Sequence, residues 1–323
     1  MILPLEGRTI GHSCNLMPWL QNARYCITIQ YLNLFGNLPN THAPAGLMMA
    51  RDSQIEWTHH TFNPWWGCVK LSPACAHCYA ESWARRFGDE LWGGDAPRRF
   101  FGEQHWREPL RWNEDAARLG TRTRVFCASM ADVFEPRTDL DPWRERLWDL
   151  IERTPQLDWL LLTKRPGHIK HVYPWVNVPQ ENVWLGTTAE NQRWADRRIE
   201  RLLSVEATVR FLSCEPLLSA IDLTRWLKKE QISWVIAGGE SGQLARPTHP
   251  NWIRTLRDQC ESHRVPFHFK QWGHWSPEAQ GKPTKKIIEL SDGSGMSERL
   301  SWRPKKLSGR VLDGQTWNGY PHA

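Results

Sequence analysis

The chain has 323 residues, of which 40% are apolar, and its formal net charge is +6. This length and composition argue against a disordered chain and predict a folded α/β protein with a buried core. No stretch approaches the roughly 18 uninterrupted apolar residues of a transmembrane helix, and charged residues interrupt the opening segment where a signal peptide needs an apolar core. We therefore expect a cytoplasmic protein with no membrane partner. The modest positive charge permits contact with nucleic acid or a phosphorylated substrate but indicates neither.

From residue 55 onward, short β-branched or aromatic runs alternate with helical patterns. The predicted strands are 55–62, 124–130, 158–165, 182–189, 209–217, 233–239 and 266–272. The predicted helices include 78–88, 141–154, 191–204 and 249–264. This alternation is typical of parallel βα units. Seven such strands favour a partial or full (β/α) barrel, and a doubly wound sheet is the alternative.

Three of the eight cysteines are clustered, where the first predicted strand gives way to the first helix. Cys68, Cys75 and Cys78 follow the spacing C-x6-C-x2-C, whereas the other five are scattered as packing residues are. Three thiolates on one loop can bind three corners of a [4Fe–4S] cluster and leave the fourth iron without a protein ligand. S-adenosylmethionine can bind that iron, accept one electron from a donor and release a 5′-deoxyadenosyl radical. The spacing therefore predicts an iron–sulfur radical enzyme that needs an electron donor.

A zinc site is the alternative explanation of the same cysteines. His59, His60 or His77 would then be the fourth ligand of a Cys3His site. His77 lies within the C-x-x-C pair and is awkwardly placed to bind the same ion. Residues 59 and 60 alternate along a predicted strand, so only one of the two can point toward the metal. The sequence leaves iron and zinc both open.

Polar residues of reactive types follow nearly every predicted strand. In a (β/α) barrel the carboxyl ends of the strands form the active face, so we expect these residues at one shared site. The candidate cofactor-binding residues are Ser129, Asp132, Thr163, Lys164, Glu190, Glu215, Gly238, Gly239 and Glu240. For any one of them the ordinary explanation, a polar residue that simply ends a strand, stays open.

Several of these candidates have a specific expected role. Lys164 would bind a cofactor carboxylate or a substrate phosphate, and Glu190 would bind ribose hydroxyls. Pro216 should hold Glu215 at a strand end. The glycines of 238–240 would let the backbone approach a ligand closely and the carboxylate would hold a ribose or an amine, unless the segment is an ordinary tight turn.

A series of motifs in the chain resembles a known family. They are FNPWWGC (62–68), SPACAHCYA (72–80), LLTKRP (161–166), LGTTAENQ (185–192), FLSCEPLL (211–218), VIAGGESG (235–242) and GRVLDGQTW (309–317). Together they resemble a phage-encoded and bacterial family of unknown function that carries a three-cysteine motif and is grouped with radical-SAM-like proteins. The resemblance implies a barrel of radical-SAM type with the cluster loop after the first strand, and it implies no particular substrate.

The sequence departs from the commonest radical-SAM pattern in two places. Its cysteines are spaced C-x6-C-x2-C instead of C-x3-C-x2-C. The Gly-Gly-Glu that usually follows the second strand and receives the methionine amino group is replaced by CASMAD, residues 127–132. We expect Ser129 and Asp132 to serve in its place. The later Gly-Gly-Glu, 238–240, follows the sixth predicted strand, so the usual role does not transfer to it.

The chain divides into three predicted regions. Residues 1–52 are predicted to be an N-terminal extension, either disordered or the result of an upstream start; residues 53–273 form the barrel, and residues 274–323 form a tail that packs on it. Segment 97–112, which includes Arg98 and Arg99, combines arginines with aromatic residues and is the candidate nucleic-acid contact. The predicted function is a radical S-adenosylmethionine enzyme, with nucleic-acid modification or repair as the candidate reaction. The alternative is a zinc- or cluster-stabilised nucleic-acid-binding protein without catalysis.

Overall fold

The computed structural model describes residues 53, 55–280 and 286–321. The predicted N-terminal extension, residues 1–52, lies outside the described residues. The strands are β1 (His60–Thr61), β2 (Trp65–Trp66), β3 (Arg99–Phe100), β4 (Thr123–Cys127), β5 (Leu157–Thr163), β6 (Val183–Thr188), β7 (Val209–Cys214), β8 (Trp234–Gly238), β9 (Phe267–Gln271), β10 (Trp275–Pro277), β11 (Ile287–Ser291) and β12 (Ser297–Trp302). The helices are α1 (Tyr79–Arg86), α2 (Glu103–Leu119), α3 (Asp141–Glu152), α4 (Ile169–Val172), α5 (Gln192–Leu203), α6 (Thr224–Leu227), α7 (Pro250–Ser262) and α8 (Lys305–Ser308).

Seven strands form one sheet in the order β1-β4-β5-β6-β7-β8-β9, and every neighbouring pair is parallel. The order in space is therefore the order in the chain, as expected when each strand returns through a helix on the same side. All seven predicted strands and the four predicted helices are present, with boundaries shifted by a few residues. The first strand is the shortest, with only two paired residues.

The sheet is strongly curled, as the distance between two aromatic rings shows. Trp57 lies just before β1 and Trp234 lies in β8, five strands further along the sheet. A flat sheet would separate them by about 24 Å, because neighbouring strands lie about 4.8 Å apart. Their ring centroids are only 6.1 Å apart. The sheet is thus wrapped around a shared apolar cluster, and the predicted partial (β/α) barrel is confirmed.

Helices cover the convex face of the sheet. In α3, Leu147, Leu150 and Ile151 are spaced three to four residues apart and are buried, which is the periodicity of a helix with one apolar face. The longest helix, α2, was not among the predicted helices. It contains Pro109 in its interior, yet its buried positions include Trp106, Trp112 and Ala116 on one face. These helices and the sheet share the main hydrophobic core.

The chain after β9 has structure of its own. Strands β10, β12 and β11 form a small antiparallel sheet. The last described residues then return to the barrel: the Gly319 N–H donates to the Phe267 carbonyl at 2.9 Å, and the Tyr320 hydroxyl donates to the Glu56 carbonyl at 2.9 Å. The C-terminal segment therefore contacts both ends of the sheet. That residues 274–323 form a separate region stays a prediction.

Within the described ranges, no helix combines the length and apolar character that crossing a membrane requires.

Candidate functional site

A cavity of about 380 Å³ lies at the carboxyl ends of the barrel strands. We call it the central cavity. Its apolar floor includes Trp57, Phe126 and Leu162, which belong to or pack on the cluster inside the curled sheet. Its volume is within the range of small-molecule sites. The recurrence of polar residues after successive strands therefore does bring many of them to one place.

All three clustered cysteines line this cavity. They lie on the segment 67–78, which we call the cysteine loop. Cys68 follows β2, Cys75 ends a short 3-10 turn, and Cys78 precedes the first residue of α1. The three are partly exposed and unpaired, whereas Cys127, Cys214 and Cys260 are buried. Three sulfur donors on one loop therefore line the same cavity.

The thiols differ in their tendency to ionise. Burial, reinforced by the negative charge of Asp132, raises the pKa of Cys68 to about 12. Burial also raises the pKa of Cys78, although the backbone N–H groups at the start of α1 favour its thiolate. For Cys75 burial acts in the same direction, but the charge of Lys164 and nearby backbone hydrogen bonds outweigh it, and the pKa is lowered. Cationic and N–H groups are therefore in place to stabilise thiolates.

Arg165 attaches the cysteine loop to the end of β5. Its guanidinium donates to the Val69 carbonyl at 2.6 Å and lies 3.7 Å from the Cys68 sulfur. The same guanidinium pairs with the buried carboxylate of Asp132 at 2.8 Å. That carboxylate also accepts from the hydroxyl of Thr163 at 2.7 Å. Asp132 and Thr163 thus position the arginine that contacts the loop.

Glu190 has a similar role at the end of β6. Its carboxylate is fully buried and pairs with Arg198 at 2.6 Å. Its other oxygen accepts from the backbone N–H of Ala74, in the cysteine loop, at 3.4 Å. Glu190 does not line the central cavity. The structure therefore shows a supporting contact between Glu190 and the loop, and the contact of Glu190 with ribose hydroxyls stays a prediction.

Glu240 and Arg246 make a third contact, from the segment after β8. The Glu240 carboxylate accepts from Arg246 and bonds to the His77 ring at 3.1 Å. Arg246 in turn donates to the Pro73 carbonyl at 2.9 Å. Hydrogen bonds from Arg246 and His77 hold the pKa of Glu240 below its ordinary value, against the opposite effect of burial. The cysteine loop is thus held from three strand ends.

The two glycines before Glu240 have packing roles. A Cβ on Gly239 would lie 2.0 Å from the Trp272 carbonyl oxygen, so only glycine allows that close approach. A Cβ on Gly238 would lie 3.4 Å from the Glu215 side chain, which is ordinary contact. Gly239 borders the central cavity and Gly238 does not. Glycine is therefore required at position 239 by the close approach of Trp272, which follows the neighbouring strand β9.

The remaining candidates lie where a ligand can reach them. Ser129 and Lys164 both line the cavity, and Lys164 has no ion-pair partner in the described part of the chain. Glu215 lines it too; its carboxylate accepts from Lys270 and from the Gln271 amide at 2.9 and 3.0 Å. Lys305 also borders the cavity, and sequence reasoning missed it because it lies in the C-terminal segment, far from any strand end.

Two of the three histidines proposed as zinc ligands, His59 and His60, lie away from the central cavity. The His59 ring accepts the Arg124 backbone N–H at 2.8 Å, and His60 stacks on Trp112 with ring centroids 4.3 Å apart. Neither lines the central cavity, whereas His77 does and is bound by Glu240. Within residues 53, 55–280 and 286–321, no three His, Cys, Asp or Glu side chains are grouped as ligands of one metal ion. The three cysteines nevertheless lie on one loop and line one cavity, and thiolates are the usual ligands of an iron–sulfur cluster.

Two arginines of the predicted nucleic-acid segment, Arg98 and Arg99, are engaged within the protein. Arg98 is completely buried and pairs with Glu135 at 2.6 Å. Arg99 pairs with Asp89 at 2.6 Å and lies over the ring of Trp66. Arg98 is therefore not available to a phosphate, and its prediction as a phosphate contact is wrong.

Comparison with known proteins gives a family but no activity. One solved structure of a spore photoproduct lyase mutant is similar at 10% identity and a TM-score of 0.41, over 79% of this chain and 71% of that one. Another spore photoproduct lyase mutant, with bound AdoMet and dinucleoside spore photoproduct, is similar at 11% identity and a TM-score of 0.40, over 77% and 70% of the two chains. No curated protein matches. Residues 52–321 match the family model described as "Protein of unknown function (DUF5131)", and the chain belongs to that family.

Proposed function

We propose that this protein is a [4Fe–4S] cluster-dependent radical S-adenosylmethionine enzyme, with Cys68, Cys75 and Cys78 as the cluster ligands. One observation carries the proposal: the three thiols of the cysteine loop face a single cavity at the carboxyl ends of parallel barrel strands. A reduced cluster of this kind supplies one electron to the sulfonium of S-adenosylmethionine.

The protein's own residues would position and shield this chemistry. Arg165, Glu190 and Arg246 hold the cysteine loop from three sides, so the thiols keep their places over the cavity. The apolar floor excludes water from the space beneath them. Lys164, whose charge acts on all three thiols, is suited to bind a carboxylate of the cofactor. Ser129 is suited to accept a hydrogen bond from the amino group of the cofactor. Asp132, Thr163, Glu190 and Glu240 act as positioning residues.

The metal content tests the proposal directly. Anaerobically purified protein should be brown, and iron and sulfide should be present in equal amounts. Replacement of Cys68, Cys75 or Cys78 by Ala should abolish both signals, whereas Cys260→Ala, a change at a buried cysteine outside the loop, should leave them unchanged. A colourless protein that binds zinc through the same cysteines would instead support a zinc-stabilised nucleic-acid-binding protein without catalysis.

Turnover of the cofactor is the second test. The reduced, iron-replete protein should cleave S-adenosylmethionine to 5′-deoxyadenosine. Iron content without any binding or cleavage of the cofactor would contradict the radical chemistry and leave a structural or redox cluster. An electron donor and a cytoplasmic location belong to the same proposal, because radical cleavage needs a reductant and a reducing compartment. A nucleic-acid substrate is proposed with them.

A further inference from the structure

We infer that the central cavity contains an anion subsite, formed by Lys270 and Lys305, that binds a phosphate group of the substrate. Lys270 lies in β9, and Lys305 begins α8 in the C-terminal segment. Both line the cavity. The identification of the ligand as substrate rests on the proposed function; the binding of the anion does not.

The first support comes from the arrangement of side chains inside the barrel. Successive side chains of a strand point to opposite faces, so residues two positions apart share a face. Phe126, Leu162 and Phe211 belong to or pack on the apolar cluster inside the curl. The side chains two positions further along these strands, together with the side chains level with them on neighbouring strands, therefore form the next layer. That layer consists of Ala128, Lys164, Thr188, Ser213 and Lys270, and all of them line the cavity. A polar, cationic layer thus covers an aromatic floor.

The second support is the charge balance around Lys305. Lys270 is partly neutralised by Glu215, at 2.9 Å. Lys305 has no ion-pair or hydrogen-bond partner in the described part of the chain, although Glu215 and Glu56 are close enough to favour its charge. Burial and the charge of Lys270 outweigh them and lower the pKa of Lys305. Two ammonium groups of which only one is paired with a carboxylate of the described residues are a suitable site for a further anion.

The third support is the hydrogen-bonding capacity that remains beside the lysines. The Gln271 side chain donates to Glu215 and Ser241, but its buried carbonyl oxygen has no partner. The buried hydroxyl of Thr188 has none either. Both side chains line the cavity. Buried polar atoms normally have hydrogen-bond partners, so the hydroxyl or amino groups of a ligand would supply the missing ones.

These features together specify the chemical class of the ligand. The lysines would bind a phosphate, Gln271 and Thr188 would bind hydroxyl or amino groups, and the floor of Trp57 and Phe126 offers flat apolar surface to a ring. A nucleoside phosphate has all three parts. It can be a free nucleotide or the end of a nucleic-acid strand, and the two share the same recognition chemistry.

The test compares ligands that differ by the phosphate alone, in protein variants that differ by one lysine. Adenosine, AMP and a short single-stranded oligonucleotide would be titrated calorimetrically into the full-length protein with the metal it contains on purification, at saturating S-adenosylmethionine. We expect AMP to bind about tenfold more tightly than adenosine, and more weakly as salt rises. Lys305→Gln should remove this preference. Lys306→Gln is the matched control, since Lys306 is the next residue of α8 and is exposed, as Lys305 is, but does not line the cavity.

Each outcome decides the inference. A preference for AMP over adenosine that is lost in Lys305→Gln and kept in Lys306→Gln supports the inference. Tighter binding of the oligonucleotide than of AMP would identify a strand end as the ligand. Equal binding of the oligonucleotide and AMP would identify a free nucleotide. Equal affinity for AMP and adenosine, identical behaviour of the two variants, or loss of AMP binding when S-adenosylmethionine is present would overturn it. Iron content, measured on the same samples, separately decides the cluster proposal, so the two can fail independently.

Discussion

Arg98 shows that burial changes what a charged residue can bind. Its guanidinium pairs with Glu135 and donates to the carbonyls of Leu91, Gly93 and Ala96. It therefore organises the loop that connects α1 to β3. Nothing in the letters PRRFF distinguishes this arginine from Arg99 beside it, because the difference lies in which of the two the fold encloses. A sequence can predict a basic segment, but only packing decides which charge faces solvent.

The first prediction follows from this burial. Arg98→Ala should lower the free energy of unfolding by about 3–5 kcal/mol, because it leaves the buried Glu135 carboxylate without its partner. Arg99→Ala should cost no more than about 1 kcal/mol, since the Arg99–Asp89 pair is partly exposed. Urea unfolding followed by tryptophan fluorescence would measure both. Equal stability of the two variants would contradict the assignment.

The proposed chemistry depends on the cysteine loop. The contacts that hold this loop to the barrel could be predicted only in part from the sequence. The cysteine spacing identified the loop, and the strand ends identified Asp132, Glu190 and Glu240. Arg198 and Arg246, the partners of Glu190 and Glu240, lie only eight and six positions further along the chain. They could not be predicted, because the sequence does not show which nearby arginine side chain turns back toward the strand end. The structure shows that Glu190 and Glu240 contact the cysteine loop, and their roles in cofactor binding stay predictions. Helix α2 was missed because Pro109 interrupts a pattern that Trp106 and Trp112 otherwise establish.

Loss of one loop contact should weaken metal retention while preserving the fold. Arg246→Ala removes the hydrogen bond to the Pro73 carbonyl and one partner of Glu240. We expect iron to be lost to a chelator about tenfold faster, as is typical when a residue that supports a metal ligand is removed. Arg225→Ala is the control, because Arg225 forms an exposed pair with Asp196. Unchanged release from Arg246→Ala would show that the loop keeps its shape without this contact.

At the scale of the whole molecule, the C-terminal segment is tied to helix α7 by a group of charges. Asp313 accepts from Arg254 at 2.9 Å and from Arg257 at 2.5 Å. Burial raises the pKa of Asp313, but these two hydrogen bonds outweigh it and hold the pKa below the ordinary value of 3.8. A carboxyl group whose pKa is lowered by folding stabilises the protein above its ordinary pKa, and that stabilisation is lost as the pH falls through the folded-state value.

Asp313→Asn should therefore have an effect that depends on pH. At pH 7 we expect it to cost about 0.2–1 kcal/mol, the usual size for partly exposed pairs. The difference from the wild type should vanish as the pH falls well below 3.8, where the aspartate itself is protonated. Thermal unfolding over this pH range measures it. A cost that stays constant down to low pH would indicate that shape, and not charge, matters at this position.

The two ends of the chain should differ in their importance. A chain that begins at Met49 should keep its unfolding temperature and iron content, because the family match begins at residue 52. Removal of residues 316–323 should lower the unfolding temperature markedly, since Trp317 packs on the core and Tyr320 contacts Trp234 and His268. The opposite ranking would show that the N-terminal residues pack on the barrel and that the C-terminal ones do not.

The order of the strands also determines when the fold can be completed during synthesis. Each strand pairs with the one made just before it in the sheet, so the curled sheet can grow as the chain leaves the ribosome. The hydrogen bond from Tyr320 to the Glu56 carbonyl spans 264 positions of the chain and joins the two ends of that sheet. It can form only after residue 320 has been synthesised. Until then the concave aromatic surface stays open along one side, and a stalled or truncated chain would expose it to chaperones and to aggregation.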